Sequence, residues 1–205
     1  MTEHHFYEPR HGHGLRHDPL NAIVGPRPIG WIGSLNAGGV RNLAPYSFFN
    51  LFTYRPPIIG FASSAWKDSA ANIAATGEFT WNLATRDLAE AMNASSATVA
   101  AEVDEFDLAG LAAAPSRLIA APRVAASPVS FECRLTQQFE LTDVDGAGTG
   151  AWMTFGEVVA VHIDPAMLVD GVYITARAGP IVRAGGAGDY FEITADRSFT
   201  MRRPD

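Results

Sequence analysis

Apolar and polar residues alternate with a period of two over several short stretches of this chain. That period belongs to half-buried strands. Ile29 to Leu35 reads as a strand, Asn36-Ala37-Gly38-Gly39 as a hairpin turn, and Asn42 to Phe49 as the partner strand. Pro56-Pro57 interrupts the pattern, and Ile58 to Ala62 is a short apolar strand. Asp68 or Ser69 can cap a helix running to about Ala75. Glu78 to Leu83 alternates again, whereas Leu88 and Met92 stand four apart in a helical stretch from Asp87 to about Ser96. Ala97 to Ser127 is rich in alanine and proline, has little periodicity, and is expected to wrap the surface. Phe131 to Leu141 and Trp152 to Ile163 are the two longest strand candidates, separated by the turn Asp143-Val144-Asp145-Gly146.

Short strands with two or three inserted helices predict a mostly β (α+β) fold, a β-barrel with helical decoration rather than a parallel α/β sheet. Residues 1–19 are polar, rich in His, Gly and Pro, and read as an N-terminal arm; residues 20–205 form one domain. The length suits a single full core, and a hydrophobic content of 47% excludes disorder as the main state. A net charge of −7 argues against nucleic acid and against an anionic membrane surface as partners. No run of about 18 apolar residues can span a bilayer, and no secretory signal is expected. Cys133 stands alone on a strand-like segment, which excludes a disulfide framework within one chain and is expected to be half-buried. A cytoplasmic location is the expectation.

The candidate chemistry begins at Ser63-Ser64-Ala65-Trp66-Lys67-Asp68-Ser69, a strand end, a small-polar turn and a helix start. Hydroxyls, a lysine and unpaired helix-start amides suit a phosphate there. The same residues also fit an ordinary helix start with a solvated lysine. Tyr46, Ser47, Phe48, Phe49 and Asn50 alternate aromatic and polar groups, which suits the flat body of a cofactor or, equally, a strand core. His4, His5, His11, His13 and His17 lie in the arm without the spacing of a metal site. His162 reads as a satisfied strand histidine, and Asp104-Glu105 as a solvated loop pair. The chain lacks a G-x-G-x-x-G helix start, a Walker loop and a G-x-S-x-G elbow. No Ser/His/Asp set can be assembled by spacing. An enzyme built this way would let a bound cofactor carry the chemistry.

Taken in order, Arg27-Pro28-Ile29-Gly30-Trp31-Ile32, Asn42 to Asn50, Pro56-Pro57, Lys67-Asp68-Ser69 with Asn72-Ile73, and Gly77-Glu78-Phe79 with Asn82-Leu83 form a recognisable series. It continues with Gly156-Glu157-Val158, His162-Ile163-Asp164, and Arg183 with Gly185-Gly186 and Tyr190. The chain resembles the flavin reductase-like proteins with an FMN-binding split barrel, the group that includes flavoredoxin. The resemblance implies a six-stranded antiparallel split barrel, a homodimer, and one non-covalent FMN per subunit near the dimer interface. It implies that Ser63, Ser64, Lys67, Asp68 and Ser69 surround the FMN phosphate. It places Arg27, Pro28 and Trp31 beside the flavin ring, and Tyr46, Ser47, Phe48 and Asn50 along the ring and ribityl chain. It also implies hydride transfer from NADH or NADPH, with a monooxygenase component as a candidate partner and no catalytic side chain. A flavin carrier or electron-transfer protein without nicotinamide activity is the alternative. Many relatives carry Thr where Ser69 stands, a change that keeps the hydroxyl.

Overall fold

The computed structural model describes residues 3–204. Met1 and Thr2 of the expected arm, and Asp205 at the end of the expected domain, lie outside the described residues. One antiparallel sheet contains β1 (Gly30–Leu35), β2 (Arg41–Tyr46), β3 (Phe49–Tyr54), β4 (Pro57–Ser63), β5 (Glu78–Asn82), β6 (Val129–Thr142) and β7 (Gly148–Ile163). Four short helices accompany it: α1 (Leu20–Ile23), α2 (Asp68–Thr76), α3 (Ala89–Ala94) and α4 (Glu105–Leu108). The strand order is β2-β1-β5-β6-β7-β4-β3, seven strands where the resemblance implied six.

Consecutive strands β2 and β3 thus occupy opposite edges of the sheet. Ser47 and Phe48 alone separate them. The chain from Tyr46 to Phe49 reaches at most about 11 Å, whereas a flat sheet would hold these edges about 29 Å apart. The sheet therefore curls until its edges meet along a seam. There the Tyr46 ring of β2 lies 4.6 Å from the Phe61 ring of β4, and the β3–β4 ladder extends to the corner, where the Phe48 carbonyl accepts from the Ala62 amide at 2.8 Å. Gly30 makes the approach possible, because a Cβ there would stand 2.8 Å from Phe49 Cδ2. The result is a split β-barrel. The stretch from Asn42 to Phe49, a single strand by its alternation, is two strands with a corner at Ser47 and Phe48.

Alternation along β1 sends neighbouring side chains to two separate cores. Ile32 joins Tyr46, Ile59, Phe61, Phe79 and Cys133 inside the barrel, where Ile73 of α2 packs with them. Trp31 joins Ile29, Leu43, Met92, Phe106 and Val124 in a second core on the other face, beneath α3 and α4. Period two thus yields a strand buried on both sides. The segment 97–127 does more than wrap the surface: Phe106 and Val124 are fully buried within this chain. Cys133, expected to be half-buried, is fully buried. Arg27–Pro28 pairs with Ile181–Arg183, which pairs with Tyr190–Glu192, in a small separate sheet. The arm meets the β6–β7 hairpin turn through an Arg10–Asp145 ion pair of 2.8 Å. Among the described residues, no helix is long and apolar enough to cross a membrane.

Gly156 on β7 faces the barrel interior, where a Cβ would collide with the buried Phe79 ring and stand 3.1 Å from the Arg134 carbonyl oxygen. Gly156→Ala is expected to lower stability by about 1–3 kcal/mol through overpacking. Urea unfolding measures this, and an unchanged midpoint would show that the interior yields.

Candidate functional site

The seam carries most of the polar groups that the sequence singled out. Arg27 enters it from the small sheet and is 8% exposed. Its Nη1 donates to the Asn21 carbonyl and, at 2.9 Å, to the Val24 carbonyl. Its Nε is buried without a partner. The guanidinium lies 5.5 Å from the centre of the Phe48 ring. Arg27, Ser47 and Phe48 line one small cavity of about 200 Å³ with Asn21, Arg183 and Gly186. From Phe48 the hydrogen bond to Ala62 leads to Ser63 and Ser64, and the chain then turns into α2.

α2 begins without a side-chain cap, because Lys67 stands at the N-cap position. Its first amides therefore have no intrahelical acceptor. Ser64 and Lys67 beside them are exposed. Trp66, also in this turn, sets its ring 4.4 Å from that of Trp152 on β7. Amides without an intrahelical acceptor, an exposed hydroxyl and an ammonium are the groups that can cradle an anion. Asp68 opens the helix and is half-buried, a placement that favours the helix dipole.

Ser69 is buried rather than open to a ligand. Its hydroxyl donates to Asn42 Oδ1 at 2.7 Å. Asn42 Nδ2 in turn donates to Glu105 Oε1 at 3.0 Å, and the Leu43 amide donates to Glu105 Oε2 at 3.2 Å. Burial pushes the Glu105 carboxyl above its ordinary value, opposed by these hydrogen bonds. The expected solvated pair Asp104-Glu105 is thus a structural device. Asp104 caps α4 and pairs with Arg41, while Glu105 anchors β2 and, through Asn42, the start of α2. Tyr46 belongs to the same region; burial raises its phenol, against hydrogen bonds with Ser69 and Ser63.

The remaining expected residues lie elsewhere. Trp31 is fully buried in the second core, and its Nε1 donates to Ser95 Oγ at 3.0 Å. It has no open face for a flavin ring, because the alternation of β1 turns it away from Tyr46. Pro28 and Asn50 border a larger apolar cavity of about 870 Å³ at the open mouth of the barrel. Asn50 Oδ1 accepts from the Leu51 amide at 2.8 Å.

A second buried carboxylate, Glu132, sits on β6. It accepts from the Arg117 and Leu118 amides at 2.7 Å each, and it pairs with His162 Nε2 at 2.6 Å. Burial alone would raise the Glu132 carboxyl, but the Arg117 amide, His162 and the Leu118 amide hold it below its ordinary 4.5. His162 is satisfied, as its place on the strand implied. The pairing with Glu132 was invisible because the two residues are thirty apart.

The flavin reductase like domain family matches residues 25–181, a span that includes the seam, α2 and both long strands. The chain belongs to the flavin reductase-like family. An uncharacterized protein of Deinococcus radiodurans is 35% identical, with 93% of this chain and 86% of that protein covered. Nitrilotriacetate monooxygenase component B from Bacillus cereus superposes with a TM-score of 0.82 at 26% identity, covering 89% of this chain and 90% of that one. The 2-nitrobenzoate 2-nitroreductase of Pseudomonas fluorescens gives 0.79 at 29% identity, covering 90% and 88%. Flavin is accordingly the cofactor class, and a flavin-related oxidoreduction the reaction class, of this flavin reductase-like protein.

Two predictions come from the buried carboxylates. Asn42→Ala removes the partner of Glu105 Oε1 and of the Ser69 hydroxyl, leaving Glu105 the Leu43 amide, and is expected to cost about 2–4 kcal/mol in denaturant unfolding, from roughly 1–3 for each unsatisfied group. A loss under about 0.5 kcal/mol would detach the network from stability. Glu132 has a folded value below its unfolded one, so its contribution is present above pH 4.5 and is lost as pH falls through the folded value. Glu132→Gln is expected to flatten the fall in stability between about pH 5 and 3. Equal slopes in variant and parent would remove Glu132 from the acid limb.

Proposed function

We propose that this protein is an FMN-binding NAD(P)H:flavin oxidoreductase that works as a homodimer in the cytoplasm. The observation that carries the reading is the seam, with an uncapped helix and a lysine on one side and a buried, partnerless Arg27 Nε on the other. This donor set fits FMN, which has a phosphate at one end and a ring bearing carbonyl oxygens and nitrogens at the other. The first amides of α2, Ser64 and Lys67 hold the phosphate, each charge-assisted bond contributing about 1.5–3 kcal/mol. Ser63, Asp68 and Ser69 shape this cradle from beneath rather than touching the anion, since Ser63 and Ser69 are spent on internal partners. Tyr46, Ser47 and Phe48 line the path of the ribityl chain and ring, with Arg27, Pro28 and Asn50 at its borders. Trp31 supports β1 from behind.

Bound FMN supplies an acceptor of hydride from NADH or NADPH and a donor of electrons onward. The protein contributes position and electrostatics: Arg27 offers positive charge where reduction builds negative charge. A catalytic acid or base is not needed. The monooxygenase component B relative supports transfer to a monooxygenase partner, and the nitroreductase relative supports transfer to a small aromatic acceptor.

The dimer rests on the open mouth of the barrel, where Phe49, Leu51, Ile59, Trp81, Phe131 and Val158 line the 870 Å³ cavity. A second copy covers this apolar surface and the exposed edge of β3.

The test begins with FMN titration. Parent protein is expected to bind FMN, and Ser64→Ala with Lys67→Ala to weaken binding about tenfold or more while leaving apo-protein melting nearly unchanged. Equal affinity would move the phosphate elsewhere. Light scattering at micromolar concentration is expected to give twice the chain mass, and a monomer with FMN bound would contradict the dimer. In stopped-flow reduction, His162→Ala fully loaded with FMN is expected to fall far less than the roughly 10²–10⁴-fold typical of a lost acid or base. FMN-bound protein that both nicotinamides leave oxidised would be a flavin carrier instead.

A further inference from the structure

A second cleft, of about 570 Å³, opens where the start of β6 meets the end of β7. Trp152, at the seam end of β7, pairs with Ser63. His162, at the cleft, lies ten residues further along the same strand, about 30 Å away in extended chain. The cleft is therefore distant from the α2 cradle within one chain.

Its lining combines two kinds of group. Arg117, Arg123 and His162 supply cationic and hydrogen-bonding groups, while Leu118, Pro128 and Ala160 supply apolar wall. Arg123 Nη2 donates to the Pro115 carbonyl at 3.0 Å, but its Nε is buried with no partner. An unsatisfied buried donor costs about 1–3 kcal/mol. Neither Arg117 nor Arg123 has a carboxylate within ion-pair distance among the described residues. The carboxylate behind them, Glu132, is saturated by two backbone amides and His162. Asp164 at the rim is engaged by the Ala166 amide. Burial makes the protonated form of Arg123 harder to hold; Glu132 counters this, and the charge of Arg117 opposes the protonated form to a smaller extent.

We propose that this cleft binds a small organic oxyanion, an apolar body carrying a carboxylate or a phosphate, at a site separate from the flavin seam. The anionic oxygens accept from Arg123 Nε and the Arg117 guanidinium, which satisfies the orphaned donor and relieves the repulsion between the cations. The apolar body lies against Leu118, Pro128 and Ala160. The volume is within the usual range for small-molecule sites.

Calorimetry on the full chain tests this with four probes: benzoate, phenyl phosphate, inorganic phosphate and benzyl alcohol. At least one organic anion is expected to bind with Kd near or below about 1 mM, more tightly than inorganic phosphate, with benzyl alcohol giving no heat. Arg123→Gln and Arg117→Gln are each expected to weaken that anion at least about tenfold. Circular dichroism and melting verify that both variants fold, and the exposed Arg117 keeps the test usable if Arg123→Gln does not. Lys67→Ala is expected to leave the binding unchanged. The proposal fails if neither organic anion binds, if inorganic phosphate or benzyl alcohol binds as well as they do, or if the folded arginine variants bind like the parent. It fails equally if Lys67→Ala removes the binding, which would assign the anion to the α2 cradle.

Discussion

A two-residue connection governs the shape of this protein. Ser47 and Phe48 join strands at opposite edges of a seven-stranded sheet, and so short a link forces the sheet to curl. Curling places Tyr46 against Phe61 and encloses the apolar side chains of β1, β4 and β5. The same corner brings Arg27, Ser47 and Phe48 to the strand end that leads into α2. Fold and candidate site therefore share one cause, since the polar groups gather where the edges of the sheet meet.

Buried carboxylates fix the loops against this curled sheet. Glu105 reaches from the irregular segment into β2 and, through Asn42 and Ser69, to the helix that carries the anion cradle. Glu132 reaches from β6 to the amides of Arg117 and Leu118 and to His162 on the neighbouring strand. A buried charge is costly unless hydrogen-bonded throughout, and both carboxylates are. Their partners lie far apart in sequence, so each ties a stretch with little secondary structure to the barrel. Ser69 shows the consequence for the site: its hydroxyl sets the position of the helix, while Ser64 and Lys67 before it remain exposed.

Membership in the flavin reductase-like family rests on residues 25–181, the region that contains the seam, and sets the chemistry as flavin-related oxidoreduction. The physical features agree with that role. The seam offers a preformed polar track rather than a nucleophile or a proton relay, and His162, outside the arm, is paired with Glu132 at the far end of β7. Such a scaffold can orient a cofactor and stabilise charge on it, leaving bond-making to the cofactor.

By itself the sequence determined the elements and their class. Alternating and short apolar runs located β1, β4, β5 and the two long strands, Asn36 to Gly39 marked a turn, and the run from Ser63 to Ser69 announced a strand passing into a helix. These are local properties, set by side-chain period and turn chemistry. Tertiary structure alone decided which side chains face one another. It split Asn42 to Phe49 into two strands, because a corner that preserves the alternation leaves no mark in the pattern. It turned Trp31 into the second core, since a strand buried on both faces gives a tryptophan the same sequence signal whichever way it points. It converted Asp104-Glu105 from an apparent solvated pair into a cap and a buried anchor, because burial depends on what the sheet brings alongside. Pairings such as Glu132 with His162 and Ser69 with Asn42 come from chain segments far apart, and only the closing of the barrel makes them neighbours.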